Sequence, residues 1–169
     1  MFGSIITALF IMAFLLVVIK MSTEGYTQQK TLAQANEMVS QAQQISMALR
    51  IYRSDHPLLS TAYDNKWLID KRALTYGYPS PLLETMRDKH YLSSVPHPLV
   101  GTPYRVVTQA SFIQNARPVT LDSVILSSSL SPNGISARLC SELNRRQVSA
   151  FGCLQTTAEE GNVFWYRYL

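Results

Sequence analysis

The feature that most constrains this 169-residue chain is an uncharged apolar run near its N-terminus, from Phe2 to Ile19. Phe, Ile, Leu, Val, Ala and Met dominate this run. A helix rises about 1.5 Å per residue, so a run of this length extends about 27 Å, close to the roughly 30 Å of a bilayer core. We therefore predict a transmembrane segment over residues 1–20, which makes membrane lipid an expected partner.

A cleavable secretory signal is the alternative interpretation of the same run. Such a signal has a basic segment before a shorter apolar stretch and a small-x-small cleavage site after it. No Lys or Arg precedes Lys20, and the residues that follow offer only Thr23-x-Gly25 as a poor match to a cleavage site. The pattern favours an uncleaved single-pass anchor.

Two features bear on the side of the membrane that the rest of the chain occupies. Lys20 and Lys30 follow the run, and the positive-inside rule weakly favours a cytoplasmic C-terminal side. Cys140 and Cys153 are the only cysteines, and a pair that encloses a short loop is typical of a disulfide in an oxidising compartment. Two reduced, buried thiols are the alternative. We favour the disulfide, and with it a periplasmic C-terminal domain.

Residues 21–56 predict an amphipathic helical stalk that continues the apolar run. Ser22 to Arg53 contains no proline and is rich in Gln, Ala, Met and Leu, which favour helix. Apolar residues recur every three or four positions, and Ser54-Asp55-His56-Pro57 ends the pattern. We expect one continuous rod with a point of weakness at Gly25, its outer half packed on a globular head. The apolar stripe consists of Leu32, Ala35, Met38, Val39, Ala42, Ile45, Leu49 and Tyr52.

Residues 57–169 predict the globular head. A proline-rich connecting region leads to segments rich in aromatic and β-branched residues, which favour strands. Ser136 is a good N-cap for a short helix through Arg146, and Ser131-Pro132-Asn133-Gly134 predicts a turn. The predicted fold is α+β, with the long N-terminal helix packed on a small antiparallel sheet. A short helix is expected at Pro81–Lys89 and strands at Tyr104–Thr108, Val119–Ser127 and Asn162–Tyr168.

Composition and motifs argue against nucleic-acid binding and catalysis. The net charge of +4 comes from Lys and Arg side chains that are scattered along the chain, so nucleic acid is an unlikely partner. His56, His90 and His97 lack the spacing of a helical metal pair. No nucleophile elbow, phosphate-binding glycine loop or Cys-x-x-Cys occurs. We expect no enzymatic activity, no cofactor, no metal site and no small-molecule substrate.

The order of the parts resembles a type IV pilin or pseudopilin, with an N-terminal rod, a connecting loop, an antiparallel sheet and a C-terminal disulfide. Two local stretches carry the resemblance. Residues 90–104 run His-Tyr-Leu-Ser-Ser-Val-Pro-His-Pro-Leu-Val-Gly-Thr-Pro-Tyr, similar to the Tyr-Leu, Pro-x-Pro, Gly-x-x-Tyr run that leads such proteins into their first strand. Residues 135–143, Ile-Ser-Ala-Arg-Leu-Cys-Ser-Glu-Leu, are similar to the short helix that carries the first disulfide cysteine in the type IVb group.

One departure from this family pattern concerns the start of the rod. A filament-forming pilin has a glycine cleavage site, then an aromatic or apolar residue, and a glutamate at the fifth position of the mature rod. Here Gly3 is followed by Ser4, the fifth residue after it is Ala8, and no acidic residue lies in the run. The resemblance therefore implies a minor, initiating or tip subunit, or a pilin-like inner-membrane component such as the PilM-type proteins of conjugative thin-pilus systems.

The resemblance implies a non-enzymatic structural subunit or assembly factor, anchored in the bacterial inner membrane, whose partners are other pilin or pilus-assembly subunits. The rod would pack against partner helices while the head selects its neighbours. A bitopic membrane receptor unrelated to pili is the competing interpretation. The residues expected to take part in partner-helix packing are Phe10, Phe14, Leu32, Met38, Ala42, Ile45 and Leu49.

Overall fold

A computed structural model describes residues 2–55, 81–130, 134–146, 149–156 and 161–168. In the first of these ranges, side chains are described from residue 11 onward. The described elements are helices α1 (Phe2–Asp55), α2 (Pro81–Asp88) and α3 (Ala137–Arg145), and strands β1 (Arg105–Gln114), β2 (Arg117–Ser128), β3 (Phe151–Gln155) and β4 (Asn162–Arg167). The fold is α+β, as predicted, with a long N-terminal helix and an antiparallel sheet.

Helix α1 is continuous from the apolar run into the stalk. The backbone stays helical through Gly25, where an added Cβ would meet nothing within 4 Å. The expected weakness at this glycine therefore does not interrupt the helix. The predicted apolar stripe is buried from Ala35 onward, whereas Leu32 is half-buried. The head thus covers one face of the second half of α1.

The sheet has the order β1-β2-β4-β3 and is antiparallel throughout. Its inner face packs on the stripe of α1 and on α3, and this main core includes Ile45, Ile125, Leu139 and Phe164. Strands alternate their side chains between two faces, so the neighbouring residues of β2 must point away from this core. They form a second, smaller core on the outer face of the sheet.

The outer face is covered by the far half of the β1–β2 hairpin. Leu121 and Val124 share the second core although they lie three residues apart, a spacing that places them on opposite faces of a regular strand. Ser123, between them, has a φ of 53°. Phe112 borders the same small space as Leu126 and Val163, so the hairpin bends back across the sheet.

The Gly101–Tyr104 stretch leads into β1 and contacts both the sheet and α1. Thr102 exchanges backbone and side-chain hydrogen bonds with Ser128, and Ser127 Oγ donates to Thr102 O at 2.7 Å. Gly101 has a φ of 89°, and a Cβ there would lie 2.5 Å from Ser127 Oγ, so only glycine fits. Tyr104 is buried and its hydroxyl donates to Met38 O of α1 at 3.3 Å.

The predicted elements agree with the structure at most positions and differ in β1 and β3. The first strand is longer than Tyr104–Thr108, and it continues through a two-residue turn, Asn115-Ala116, into β2. Strand β3 was not predicted. Ser136 caps α3 as expected, since its Oγ accepts from Leu139 N at 3.1 Å. The predicted features outside the described residues include His56, Pro57 and residues 131–133 of the expected turn.

Candidate interaction surfaces

The first described side chains of α1 form an apolar rod that projects from the head. We use this name for Ile11–Ile19, where no residue is charged and every side chain is exposed. Consecutive residues point in all directions around a helix, so the exposed apolar surface surrounds the rod. A helix that is apolar on every side is usually enclosed by lipid or by other protein. The large exposed side chains are Ile11, Met12, Phe14, Leu15, Leu16, Val17, Val18 and Ile19.

Within the part of the chain that the structure describes, we find no helix long and apolar enough to cross a membrane. The predicted segment 1–20 includes Met1 and the side chains of residues 2–10, which lie outside the described residues. The transmembrane segment stays a prediction.

The residues expected to pack on partner helices fall into two groups. Met38, Ala42, Ile45 and Leu49 are buried in the main core, so in this structure they contact the head of their own chain. Phe14 lies on the apolar rod and is exposed. The side chain of Phe10 is outside the described residues, and Leu32 is half-buried where the head begins. Packing of the rod against partner helices stays a prediction.

A hydrogen bond fixes the start of α3 beside α1 where the apolar rod meets the head. Arg138 Nη1 donates to Thr27 Oγ1 at 3.2 Å. Thr27 Oγ1 in turn donates to Thr23 O at 3.0 Å, so the hydroxyl links the guanidinium to the helix backbone. The sequence offered no signal for this contact because the two residues are 111 positions apart.

Aromatic and charged side chains fix the other end of α1 to the head. Tyr52 meets the edge of Tyr91 at a centroid distance of 5.2 Å, and Tyr91 Oη donates to Asp55 Oδ2 at 2.8 Å. This hydrogen bond, more than any other interaction, raises the pKa of Tyr91. The Arg53 guanidinium lies 5.4 Å from the centre of the Tyr168 ring. These contacts hold α1 along the inner face of the sheet.

The predicted disulfide between Cys140 and Cys153 is present, and it joins α3 to β3. Both cysteines are buried in the main core. Asn144, one turn further along α3, reinforces the same junction. Its Nδ2 donates to Cys153 O and its Oδ1 accepts from Cys153 N, both at 2.8 Å. The side-chain amide thus takes the place of a neighbouring strand and closes the outer edge of β3.

A polar groove runs between α1 and the 94–97 loop. It has a volume of about 420 Å³ and lies open to solvent. Glu37, Ser40, Gln41 and Gln44 of α1 form one side, and the loop forms the other with His97 at its end. Gln41 Nε2 bridges the two sides, donating to Glu37 Oε1 at 3.0 Å and to His97 O at 3.2 Å. No local sequence pattern predicts this groove.

Two of the three histidines lie within the described residues. His56 lies outside the described residues, while His90 and His97 are both exposed in the loop region. His90 has a φ of 64°, at the turn that follows α2. Among the described residues, no group of His, Cys, Asp and Glu side chains could hold a metal ion.

Comparison of the chain with protein-family models, with curated proteins and with solved structures found no match.

Proposed function

We propose that the chain is a non-enzymatic structural subunit or assembly factor of a type IV pilus-like machine. In this proposal the predicted segment 1–20 anchors it in the bacterial inner membrane, and the head lies in the periplasm. A conjugative thin pilus is one machine of this kind. The partners of the chain would be membrane lipid and other pilin or pilus-assembly subunits.

The apolar rod carries this proposal. Exposing its side chains to water is unfavourable in proportion to the apolar area, at roughly 25 cal/mol per Å². A rod that no part of the described head covers therefore needs an apolar environment that the described residues do not supply. Lipid and the rods of neighbouring subunits both supply one. Because the rod continues as the helix that enters the head core, a partner that holds the rod also positions the head.

The disulfide supports a head that lies outside the cytoplasm. Disulfides persist in oxidising compartments such as the periplasm and are rare in the reducing cytosol. The Cys140–Cys153 bridge is buried and joins two elements of the head, which is the arrangement of a structural rather than a redox-active disulfide.

The missing acidic residue in the apolar run favours a minor, tip or non-filament component over a major pilin. In the family that the sequence resembles, a carboxylate inside the rod pairs with a neighbouring subunit during assembly. A charge inside a membrane is costly and is kept where it has a function. The run Phe2–Ile19 has none, so any lateral contact of this rod would depend on apolar packing.

Cell fractionation tests the proposal. The producing cell is separated into cytosol, periplasm, inner membrane and sheared surface filaments, and the protein is identified by mass spectrometry that also reads its N-terminus. We expect the protein in the inner membrane or the filaments. A processed N-terminus in filaments would make it a pilin, and an intact Met1 confined to the inner membrane would make it an assembly component. Recovery in the cytosol would contradict the proposal.

A bitopic receptor would share the membrane location, so a second measurement separates the two functions. Photocrosslinking in intact cells, from a photoreactive amino acid placed in the rod, should yield adducts to pilus subunits if the proposal is correct. A receptor would instead remain outside the pilus machinery, and deleting its gene would leave pilus assembly unchanged.

A further inference from the structure

The polar groove between α1 and the 94–97 loop contains a buried hydrogen-bond acceptor that lacks a donor among the described residues. The acceptor belongs to Gln41. Both of its hydrogen-bond partners among the described residues, Glu37 Oε1 and His97 O, are acceptors, so the amide nitrogen must face them. This orientation leaves Gln41 Oε1 buried and without a hydrogen-bond partner among the described residues. Buried acceptors without a donor are uncommon in folded proteins.

The groove also carries a negative charge that no described Lys or Arg pairs with. Glu37 is half-buried, and within the described ranges no Lys or Arg forms an ion pair with its carboxylate. One oxygen accepts from Gln41, which is neutral. The same carboxylate lies close enough to Tyr104 to reinforce the rise in the pKa of that phenol, which burial mainly causes. A cation from outside would complete the hydrogen bonding of this carboxylate.

The shape of the groove favours a side chain over a free small molecule. Small-molecule sites usually enclose most of the ligand and are lined mainly by apolar groups. This groove is open along the surface and its helical wall is entirely polar. A guanidinium or ammonium group on a flexible stem can reach such a site from an adjoining protein surface.

We propose that this groove is a docking site for a lysine or arginine side chain of a partner protein. The cation pairs with the Glu37 carboxylate and donates a further hydrogen bond to the carbonyl oxygen of His97. The proposal goes beyond the assignment to a pilus-like machine, because it depends only on the head and holds whatever surrounds the apolar rod.

A pair of peptides tests the proposal. The full chain, in zwitterionic detergent micelles at pH 8, is titrated with acetyl-Gly-Arg-Gly-amide and with the same peptide carrying neutral citrulline. Backbone amide NMR signals report binding. We expect the arginine peptide to shift the signals of residues 37–44 and 94–97 with millimolar half-saturation, as a single side chain binds weakly, and the citrulline peptide to shift them little.

Two variants separate the groove from the general surface charge. Glu37→Gln keeps the size of the side chain and its hydrogen bond from Gln41, and should weaken arginine binding about fivefold, the effect of a partly exposed ion pair. Glu84→Gln on α2, outside the groove, should leave binding unchanged. Equal responses to the two peptides, or equal losses in the two variants, would overturn the proposal. A second copy of the chain as the donor would appear as concentration-dependent dimerisation that Glu37→Gln abolishes.

Discussion

The apolar rod has a higher apolar content than the second half of α1, yet its apolar side chains are more exposed. The apolar rod is built almost entirely of large apolar residues, yet Phe14 is 69% exposed. The second half is rich in Gln and contains other polar and charged residues, yet Ile45 is 0% exposed. Burial therefore follows the spacing of the apolar residues rather than their number. Among the described residues, the part of α1 with a stripe at helical period is the part that packs into the main core.

This contrast assigns different tasks to the two halves. Contacts with the main core stabilise the head, and they come from the second half of α1. The apolar rod makes no such contact among the described residues, so its free energy depends on its surroundings. The stability of the head and the location of the protein should consequently respond to different substitutions.

The largest effect is expected for Ile45→Asp. The substitution places an unpaired carboxylate in the main core and removes a buried aliphatic side chain. We expect the free energy of unfolding of the head to fall by about 4 kcal/mol or more. Urea unfolding in detergent micelles, followed by tryptophan fluorescence, measures the change.

Met47→Asp is the matched control, because it introduces the same charge two residues away on the same helix. Met47 is 65% exposed, so its replacement should change the free energy of unfolding by less than about 0.5 kcal/mol. Similar losses for both variants would mean that the stripe does not define the buried face.

Removal of the disulfide should produce the next largest effect. Cys140 and Cys153 are 13 residues apart, and a bridge closing a loop of about this length stabilises a fold by about 3 kcal/mol through the unfolded chain. The double variant Cys140→Ala/Cys153→Ala should lower the free energy of unfolding by this amount. Far-ultraviolet circular dichroism should still report a helical rod.

Reduction provides the control for this double variant. A reductant should lower the stability of the native chain towards that of the variant and should leave the variant unaffected. A native chain that is insensitive to reductant, with both thiols free after peptide mapping under thiol trapping, would contradict the bridge.

A smaller loss is expected for Asn144→Ala. This substitution removes both hydrogen bonds to the backbone of Cys153 and opens the edge of β3. Because Asn144 is itself exposed, water can replace part of what is lost, and we expect a decrease of about 1 kcal/mol. Asn144→Asp should cost more than the alanine variant, since its carboxylate would face the Cys153 carbonyl oxygen. Equal stability of the two variants would mean that the amide does not pair with β3.

Sequence periodicity was sufficient to predict the parts of the fold that depend on local pattern. The stripe of α1, the cap at Ser136 and the strands around Ile125 and Phe164 all follow from spacing or from a residue with a known local role. The disulfide followed from the presence of only two cysteines. Each of these signals lies within a short stretch of chain.

Features that depend on distant contacts were missed. Strand β3 is five residues long and contains Gly152, where a Cβ would lie 2.9 Å from the Trp165 ring; its first four residues are all buried, so no alternation marks it. The Asn115-Ala116 turn has positive φ at both residues but lacks the usual glycine. The groove joins Gln41 to His97 across 56 positions, which no local pattern encodes.

The smallest effect on the stability of the head is expected for Phe14→Asp. This substitution tests the comparison in the apolar rod rather than in the core. Phe14 contacts no part of the described head, so the free energy of unfolding should change by less than about 0.5 kcal/mol. The same change places a charge within the predicted membrane segment, where insertion scales assign it a cost of about 3 kcal/mol. The protein should therefore shift out of the membrane fraction while the head stays folded. Loss of head stability would show that the rod contacts the head, and the two halves of α1 would then not be independent.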